Sequence, residues 1–341
     1  MKSLEGKVAV VAGATRGAGR GIACMLGEAG ATVYCTGRNS RARPNAEHPF
    51  AGRPETIEET AEMVSARGGR GIAARTDHLE EGQVTALFER VRREEGRLDV
   101  LVNDISEGEM HEWKPFWELS LDRGLRGLRR GVDTHIITTR HAAPLMVEQK
   151  GGLIVEIGDG DALHYRGNLF YDLVKITTSR LAYAWAEELR PHEVAAVAVT
   201  PGFMRTEVVL EHFGATEENW REAAEKSAAA RGYGFAGSET PFFVGRAVAA
   251  LAADPRVLEK SGGLYSSWGL SEEYGFTDVD GSRPHWWRYF SEHFPQMVNA
   301  APNTSFRWKL ERVPEQERPP AKKRRGKGGG NSRQQAVGSR Q

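Results

Sequence analysis

Residues Val8–Gly19 read VAVVAGATRGAG, an apolar run followed by three spaced glycines. The run Val8–Ala12 predicts a buried strand, and residues 17–29 predict the helix that follows it. Glycines between a strand and a helix allow a tight turn and let the backbone approach a ligand's phosphates, which the helix N-terminus stabilises. This stretch therefore predicts a dinucleotide-binding site on the first strand–helix unit of an α/β fold.

Strand and helix patterns then alternate along the chain. The predicted strands are Val8–Ala12, Ala31–Thr36, Gly71–Arg75, Leu98–Val102, Gly152–Ile157, Val194–Thr200 and Gly263–Ser266. After the first helix, the predicted helices are Glu55–Arg67, Glu80–Glu95, Ser120–Gln149, Phe170–Leu189, Glu217–Ala230 and Pro241–Ala253. Such alternation is typical of a doubly wound, Rossmann-type α/β fold with a parallel sheet and right-handed crossovers.

Composition divides the chain into three predicted parts. Residues 1–270 form the Rossmann-type domain, and residues 271–313 form an aromatic-rich C-terminal extension that packs on it. Residues 314–341 contain eight Lys or Arg, two Glu and many Gly, a composition that predicts disorder. This basic tail could weakly contact nucleic acid or an acidic surface, although a solvated appendage is the more common role.

The overall composition excludes several classes of protein. The 341 residues are 40% hydrophobic and carry no net charge, which is a globular profile. No signal peptide or long apolar segment is present, so we expect a cytoplasmic protein without a membrane span. Only two cysteines occur, Cys24 and Cys35, which excludes a disulfide framework and predicts two buried thiols. No metal site is predicted, because metal-ligand spacing is absent among His111, His135, His141 and His164.

The end of the second predicted strand bears on which dinucleotide is preferred. NAD-selective sites place a carboxylate there to accept from the ribose 2′-OH. This strand is followed instead by Gly37 and Arg38. Arg38 and Arg16 can donate charge-assisted hydrogen bonds to a 2′-phosphate, although both could be ordinary surface arginines. The sequence therefore favours NADP(H) over NAD(H) as the cofactor.

A tyrosine and a lysine lie one turn apart near the start of the predicted helix Phe170–Leu189. The spacing of four residues puts Tyr171 and Lys175 on one helix face. A nearby ammonium favours phenolate, so Lys175 is expected to lower the pKa of Tyr171. Such a tyrosine can exchange a proton with a carbonyl or alcohol oxygen while hydride moves to or from nicotinamide.

In order and spacing these motifs resemble the short-chain dehydrogenase/reductase family over residues 7–265. The resemblance rests on Gly13, Gly17, Gly19, Asp77, Asn103, Tyr171, Lys175, Pro201, Gly202 and Thr206. It implies a single-domain Rossmann-type fold, a homodimer or homotetramer, and hydride transfer between NAD(P)(H) and a small carbonyl or alcohol. The stretches VNDIS, YDLVK and GFTDVDGSRPHWWRY resemble a less studied bacterial branch of the family.

The same resemblance implies roles for single residues. Asp77 would hold the adenine, Asn103 would line the cofactor groove, and Thr206 would lie near the nicotinamide carboxamide. Lys175 would also bind the nicotinamide ribose, beside Tyr171 as the acid/base. The expected cofactor-binding residues are Gly13, Thr15, Arg16, Gly17, Gly19, Arg38, Asp77, Asn103, Tyr171, Lys175, Pro201, Gly202 and Thr206.

The chain departs from the family's catalytic pattern at two positions. Gly158 or Asp159 stands where a serine usually orients the reacting oxygen. Asp159 could replace that serine only when protonated, because a carboxylate repels an incipient alkoxide; alternatively it caps a turn. The asparagine that usually supports a proton-relay water falls on Gly131, where a second water could fill the gap. In addition, residues 103–106 read NDIS where the family commonly has Asn-Asn-Ala-Gly.

These departures leave alternative functions open. A non-catalytic NADP(H)-binding module that controls a partner is favoured by the altered positions and disfavoured by the Tyr171/Lys175 pair. A methyltransferase on a related sheet is disfavoured by that pair and by Arg38, since methyl donors carry no 2′-phosphate.

Two further patterns concern the substrate and the subunits. Apolar side chains that could border the groove indicate a fairly apolar substrate, although core packing is their more frequent role. They are Trp113, Trp117, Phe203, Met204, Trp286 and Trp287. A stripe of small residues on the helix Ser120–Gln149 would let a second subunit, or another helix of the same subunit, pack closely. It consists of Gly124, Gly127, Gly131, Thr134, Thr138 and Ala142.

Overall fold

The computed structural model describes residues 2–46, 50–106, 112, 114–160 and 165–295. Within these ranges seven parallel strands form one sheet in the order β3-β2-β1-β4-β5-β6-β7. The strands are β1 Val8–Ala12, β2 Thr32–Gly37, β3 Arg70–Arg75, β4 Val100–Asn103, β5 Gly152–Ile157, β6 Val194–Thr200 and β7 Leu264–Ser266. The strand order changes direction between β1 and β4, as in doubly wound folds, which confirms the predicted class.

Helices cover both faces of the sheet. In β1, Ala9 and Val11 belong to one core cluster and Val8 and Val10 to the other, because alternate side chains point to opposite faces. The helices are α1 Gly17–Glu28, α2 Ile57–Ala66, α3 Glu81–Glu95, α4 Leu121–Leu128, α5 Thr134–Gln149, α6 Leu169–Leu189, α7 Glu207–His212, α8 Trp220–Lys226, α9 Ala228–Gly232, α10 Pro241–Ala253, α11 Ser267–Tyr274 and α12 Trp286–His293.

The predicted single helix Ser120–Gln149 is interrupted in the structure. A π-helical turn at Arg129–Asp133 separates α4 from α5. Gly131 lies in this turn against α6, where a Cβ would come within 2.5 Å of Val174 Cγ1. Val174 thus takes up the space that a side chain at this position would need, so the interrupted segment packs closely on α6.

The segment after β6 also differs from expectation. The predicted helix Glu217–Ala230 is two helices, α8 and α9, with Ser227 between them accepting a hydrogen bond from the N–H of Ala230. The short helix α7 was not predicted, because six residues are too few to show a helical period. The N-cap at Ser227 therefore divides a stretch whose periodicity predicted one continuous helix.

The aromatic helix α12 contacts the loop that follows β6. Trp286 lies 5.6 Å from Phe203, centroid to centroid, and a Cβ at Gly202 would be 2.8 Å from Trp286 Cβ. The remainder of the predicted extension and the basic tail at residues 314–341 lie outside the described residues. In the described part of the chain no helix is long and apolar enough to cross a membrane. Cys24 and Cys35 are buried free thiols, as predicted.

Candidate active site

The predicted site residues gather where the parallel strands end. Ala12 of β1 is in register with Asn103 of β4, and Asn103 with Glu156 of β5. The glycine loop follows β1, Asp159 follows β5, and Pro201 follows β6. Because the carboxyl ends of parallel strands lie at one edge, residues far apart in sequence meet there, at the strand-order reversal where such folds bind ligands.

The glycine loop is too tightly packed for side chains at two of its positions. Gly13 has φ +94°, and a Cβ there would lie 2.6 Å from the carbonyl oxygen of Asp104. A Cβ at Gly19 would lie 2.3 Å from the carbonyl oxygen of Gly13. The loop therefore requires glycine for close backbone approach, which is also the condition for cradling a pyrophosphate.

The N-terminus of α1 is occupied by a carboxylate that sequence reasoning missed. The N–H of Gly17 donates to Glu207 Oε2 at 2.9 Å, and Glu207 Oε1 lies 3.5 Å from Arg20 Nη1. Arg16, the N-cap residue, makes no side-chain cap. Thr206 caps α7, and its methyl group would be 3.5 Å from a Cβ at Gly17. The predicted residues Gly17 and Thr206 are thus adjacent, with an acidic side chain beside them.

Of the two predicted phosphate-binding arginines, Arg38 lies at the end of β2 and Arg16 lies in the glycine loop. Arg38 directly follows this strand and is half-buried. The Arg16 guanidinium stacks on Phe50 at 4.5 Å, and its Nε donates to the buried carboxylate of Glu55 at 3.3 Å. Glu55 was predicted only as the start of a helix, because nothing in the local pattern reveals a contact across 39 residues.

Two other predicted cofactor residues have mainly local partners. Asp77 follows β3; its N–H donates to Gln83 Oε1 at 2.9 Å and its Oδ1 accepts from the N–H of Leu79 at 3.1 Å. Thr15 is buried in the glycine loop, and its carbonyl accepts from Arg20 Nε at 3.1 Å. These bonds fix the shape of the loops that follow β3 and β1.

Tyr171 and Asp159 are directly hydrogen-bonded. Tyr171 Oη donates to Asp159 Oδ2 at 2.5 Å, and Lys175 Nζ lies 5.7 Å from the centre of the Tyr171 ring. Asn168 caps α6 by accepting from the N–H of Tyr171. A Cβ at Gly158 would face Thr178 and Ser179 instead. Of the two candidates for the serine position, Asp159 is therefore the one whose side chain reaches the tyrosine.

The pKa of Tyr171 is shifted opposite to the expectation drawn from Lys175. Burial and the Asp159 carboxylate raise the pKa of Tyr171 well above its usual value, against a smaller lowering by Arg166. Loss of water and a nearby anion both disfavour phenolate, and they outweigh a lysine placed on the face of the ring. In this structure Tyr171 is held as a neutral phenol.

Asp104 lies beneath the glycine loop. Burial raises the pKa of Asp104 to about 7, although Lys175 and a backbone hydrogen bond from Gly19 oppose the rise. A Cβ at Gly19 would be 3.0 Å from Asp104 Oδ2. Asp104 stands where the family commonly has its second asparagine. This residue thus puts a titratable group next to the backbone that would face the cofactor phosphates.

A buried polar network underlies this edge of the sheet. Asn103 Nδ2 donates to Glu156 Oε1 at 2.6 Å and to Thr139 Oγ1 at 3.0 Å. His135 Nδ1 lies 2.5 Å from Glu156 Oε2, and its Nε2 lies 2.9 Å from the carbonyl oxygen of Ile105. Although burial opposes it, Glu156 raises the pKa of His135, and both ring nitrogens face oxygen atoms that can accept a hydrogen bond. Asn103 thus ties β4 to β5 and α5 with a fully buried side chain.

Glu156 and His135 were not predicted as part of the site. The one signal in the sequence was a glutamate inside the apolar run LIVEI, since an unpartnered carboxylate is rarely buried. Its partner, 21 residues away, could not be read from spacing.

Another buried glutamate supports the Pro201–Gly202 turn. Glu239 Oε2 accepts from the N–H of Gly202 at 3.0 Å and from Ser267 Oγ at 2.7 Å. Burial raises the pKa of Glu239 to about 8. This carboxyl group anchors the turn that leads to Thr206, and it too was absent from the sequence-based prediction.

The apolar residues predicted to border the groove take different positions. Phe203 and Trp286 contact each other, and Met204 packs on the core. Trp117 and Trp287 are largely exposed. Trp113 lies outside the described residues. Among the predicted groove residues that the structure describes, Phe203 and Trp286 are the two that meet next to Gly202.

A parallel sheet with a glycine loop on its first strand and a tyrosine–lysine helix after its fifth defines an oxidoreductase of the nicotinamide-dependent class. The family model described as short chain dehydrogenase matches residues 7–215. Human "Dehydrogenase/reductase SDR family member 1" is 37% identical over 283 residues, covering 82% of this chain and 85% of that protein. The chain belongs to the short-chain dehydrogenase/reductase family.

More distant relatives and solved structures agree with this membership. The 7alpha-hydroxysteroid dehydrogenase of Clostridium sardiniense is 29% identical over 213 residues, covering 62% of this chain and 76% of that protein. A crystal structure of a short chain dehydrogenase from Mycobacterium thermoresistibile superposes with a TM-score of 0.67 at 21% identity, covering 83% of this chain and 92% of that one. At 21% identity, the similarity to the Mycobacterium thermoresistibile structure shows a shared fold alone. Membership of this family also argues against a methyltransferase.

Proposed function

We propose that this protein is an NADP(H)-dependent reductase of a small or medium-sized carbonyl compound, with Tyr171 as the acid. The observation that carries the proposal is the Tyr171–Asp159 hydrogen bond on the helix that bears Lys175, at the sheet edge that also carries the glycine loop. When bound, the nicotinamide supplies or accepts the hydride. The proton is then the task of the chain's own residues.

Tyr171 is the proton donor in the proposed reduction. Because burial and Asp159 raise the pKa of Tyr171, the phenol keeps its proton at neutral pH and serves as the donor to a carbonyl oxygen. Tyr171 Oη gives its proton to the developing alkoxide, and Lys175 stabilises the phenolate that remains. Alcohol oxidation would use the same groups in reverse, with the Tyr171 phenolate as the base.

The fit of a dinucleotide is supported by two features of the cleft. The loop packing around Gly13 and Gly19 leaves no room for a Cβ at either residue, as a pyrophosphate cradle requires. Within the described part of the chain, the buried Nη2 atom of Arg16 has no hydrogen-bond acceptor, and a 2′-phosphate is an acceptor of the right charge. Arg38 follows β2 nearby, which supports NADP(H) over NAD(H).

The test is calorimetric titration of NADPH and NADH into wild-type protein and Arg38→Ala. We expect NADPH to bind more tightly than NADH, and the substitution to weaken NADPH binding selectively by about tenfold, as loss of one charge-assisted hydrogen bond predicts. Equal weakening of both cofactors would show that Arg38 does not contact the 2′-phosphate. Binding of neither cofactor would refute the proposed function.

A second candidate is an NADP(H)-binding regulatory module without turnover. Gly131 and Asp159 favour it, since they replace the usual asparagine and serine. A panel of aliphatic, aromatic and steroid ketones with NADPH distinguishes the two candidates. Turnover of any member that is lost in Tyr171→Phe supports the enzyme, and cofactor binding without any turnover supports the module.

We propose an apolar substrate and a homo-oligomer. Phe203 and Trp286 next to Gly202 form an apolar wall suited to a hydrocarbon skeleton. For the oligomer, Leu121 and Leu125 are exposed one turn apart on α4, at 64% and 49%, near the exposed Trp117. A contiguous apolar surface of this kind marks an interface, and a second copy of the chain would cover it.

The oligomer is tested by light scattering on the double variant Leu121→Glu/Leu125→Glu. Conversion of a dimer or tetramer to a smaller species is expected, and Val279→Glu, at another exposed apolar site, is the matched control. A monomeric wild-type protein would contradict the proposal.

A further inference from the structure

In the loop between β2 and α2, the described residues 53 and 55 are hydrogen-bonded to Asn39, close to the end of β2. Asn39 Nδ2 donates to the carbonyl oxygen of Arg53 at 3.1 Å and to that of Glu55 at 2.5 Å. These bonds hold residues 53 and 55 next to Asn39, from which they are 14 and 16 positions apart along the chain. The charged side chains of Arg53 and Glu55 are consequently part of the surroundings of the 2′-phosphate site.

Glu55 joins two arginines. Arg53 donates to both of its oxygens, from Nη2 to Oε1 at 2.7 Å and from Nε to Oε2 at 3.0 Å, while Arg16 Nε lies 3.3 Å from Oε2. Glu55 is only 6% exposed, so the pairing is shielded from water. Glu55 thus holds the guanidiniums of Arg53 and Arg16 next to each other.

This cluster lacks an acceptor. The Arg16 guanidinium has Phe50 on one face and Glu55 at Nε, yet its buried Nη2 has no acceptor among the residues that the structure describes. Leaving a buried charged donor without a partner is unfavourable, so binding of an anion at this point is favoured. A phosphate oxygen would supply the acceptor that Arg16 Nη2 lacks.

Arg53 can turn toward such an anion. Besides Glu55, its Nη1 donates to Glu211 of α7 at 2.7 Å, and Glu211 is 69% exposed at its side chain. An exposed ion pair of this kind contributes little stability and can be exchanged for a stronger partner. We propose that Arg53 binds the 2′-phosphate as a third arginine beside Arg16 and Arg38, held in place by Glu55, an inference that rests on the proposed NADP(H) function.

The experiment compares NADPH, NADH, 2′,5′-ADP and 5′-AMP by calorimetry on wild-type protein, Arg53→Ala, Arg53→Lys and Arg41→Ala. Arg41 lies in the same loop but pairs with Glu62 at the surface, so it is a matched control. We expect Arg53→Ala to weaken NADPH and 2′,5′-ADP about tenfold or more, to change NADH and 5′-AMP less than about twofold, and Arg53→Lys to recover part of the loss. Arg41→Ala should leave all four ligands unchanged.

The outcomes separate this proposal from the one it rests on. If wild-type protein binds neither NADPH nor NADH, the proposed function fails and Arg53 has no phosphate to bind. If NADPH is preferred and Arg53→Ala keeps that preference, or weakens both cofactors equally, only the role of Arg53 is refuted. An unchanged melting temperature in Arg53→Ala ensures that the comparison concerns folded protein.

Discussion

The carboxylate of Glu207 accepts a hydrogen bond from the N–H of Gly17, with 2.9 Å between Oε2 and N. Gly17 is the first residue of α1, whose N-terminal N–H groups would bind the cofactor's pyrophosphate in a dinucleotide-binding fold. An acidic side chain of α7 thus takes the position of an anionic group of the ligand. Binding of a dinucleotide must displace this carboxylate or accept its repulsion.

We therefore expect Glu207→Gln to bind NADPH more tightly than the wild type, by roughly three- to tenfold, since about 1 kcal/mol is typical of a charge at a helix terminus. Fluorescence or calorimetric titration measures the change. Glu225→Gln, an exposed position on α8, is the control and should bind as the wild type does. Weaker binding in Glu207→Gln would mean that this carboxylate supports the cofactor site instead of competing for it.

Asp159 should control the pH dependence of alcohol oxidation. Oxidation requires the Tyr171 phenolate, and Asp159 contributes to the rise in the pKa of that phenol. In the wild type, the oxidation rate should therefore increase with pH only at high pH. Asp159→Ser removes the negative charge, so this alkaline limb of the pH profile should move to lower pH and the oxidation rate at pH 8 should rise. A pH profile of kcat/KM with NADP+ and an alcohol substrate measures the shift.

The controls for this prediction are two tyrosine variants. Tyr171→Phe should lose activity by about 10²–10⁴-fold, the usual contribution of a general acid or base. Tyr165→Phe alters an exposed tyrosine nearby in sequence and should remain active. An alkaline limb that stays in place in Asp159→Ser would show that the carboxylate does not set the pKa of Tyr171.

Asp104 should make stability fall between about pH 4 and pH 7. Its pKa is raised to about 7 in the folded state, so between about pH 4 and pH 7 the folded protein holds a proton that the unfolded chain has released. The stability that this proton contributes is lost as the pH rises through 7. Asp104→Asn keeps a neutral group there and should gain on the order of 2 kcal/mol over the wild type at pH 8 and little at pH 4. Denaturant unfolding at both values measures the difference, and equal stability of the two proteins at pH 8 would contradict the assignment.

Gly19→Ala should disrupt the glycine loop. The new Cβ would lie 2.3 Å from the carbonyl oxygen of Gly13, which is backbone and cannot rotate away. We expect a loss of about 1–3 kcal/mol in the free energy of unfolding and loss of NADPH binding. Gly82→Ala in α3, where no atom lies within 4 Å, is the control and should not be destabilised. NADPH binding that survives in Gly19→Ala would show that the loop can shift at little cost.

The sequence by itself determined the elements that depend on local pattern. The bounds of β5, β6 and α10 are those predicted, because each is a long apolar or periodic run between clear breaks. The same applies to the glycine loop, whose residues adjoin in sequence, and to Tyr171 and Lys175, whose spacing puts them on one helix face. The alternation of strands and helices along the chain was sufficient to predict a parallel sheet.

Only the tertiary structure decided which charged groups meet. Glu55 at Arg16, Glu207 at Gly17 and Glu156 at His135 bring together residues that are 39, 190 and 21 positions apart. The close packing at Gly131 likewise involves Val174 of a different helix. The pattern within one stretch of sequence indicates which face of a helix or strand is apolar. The pKa of Tyr171 depends instead on burial and on the Asp159 carboxylate, and both arise only when the strands are assembled into the sheet.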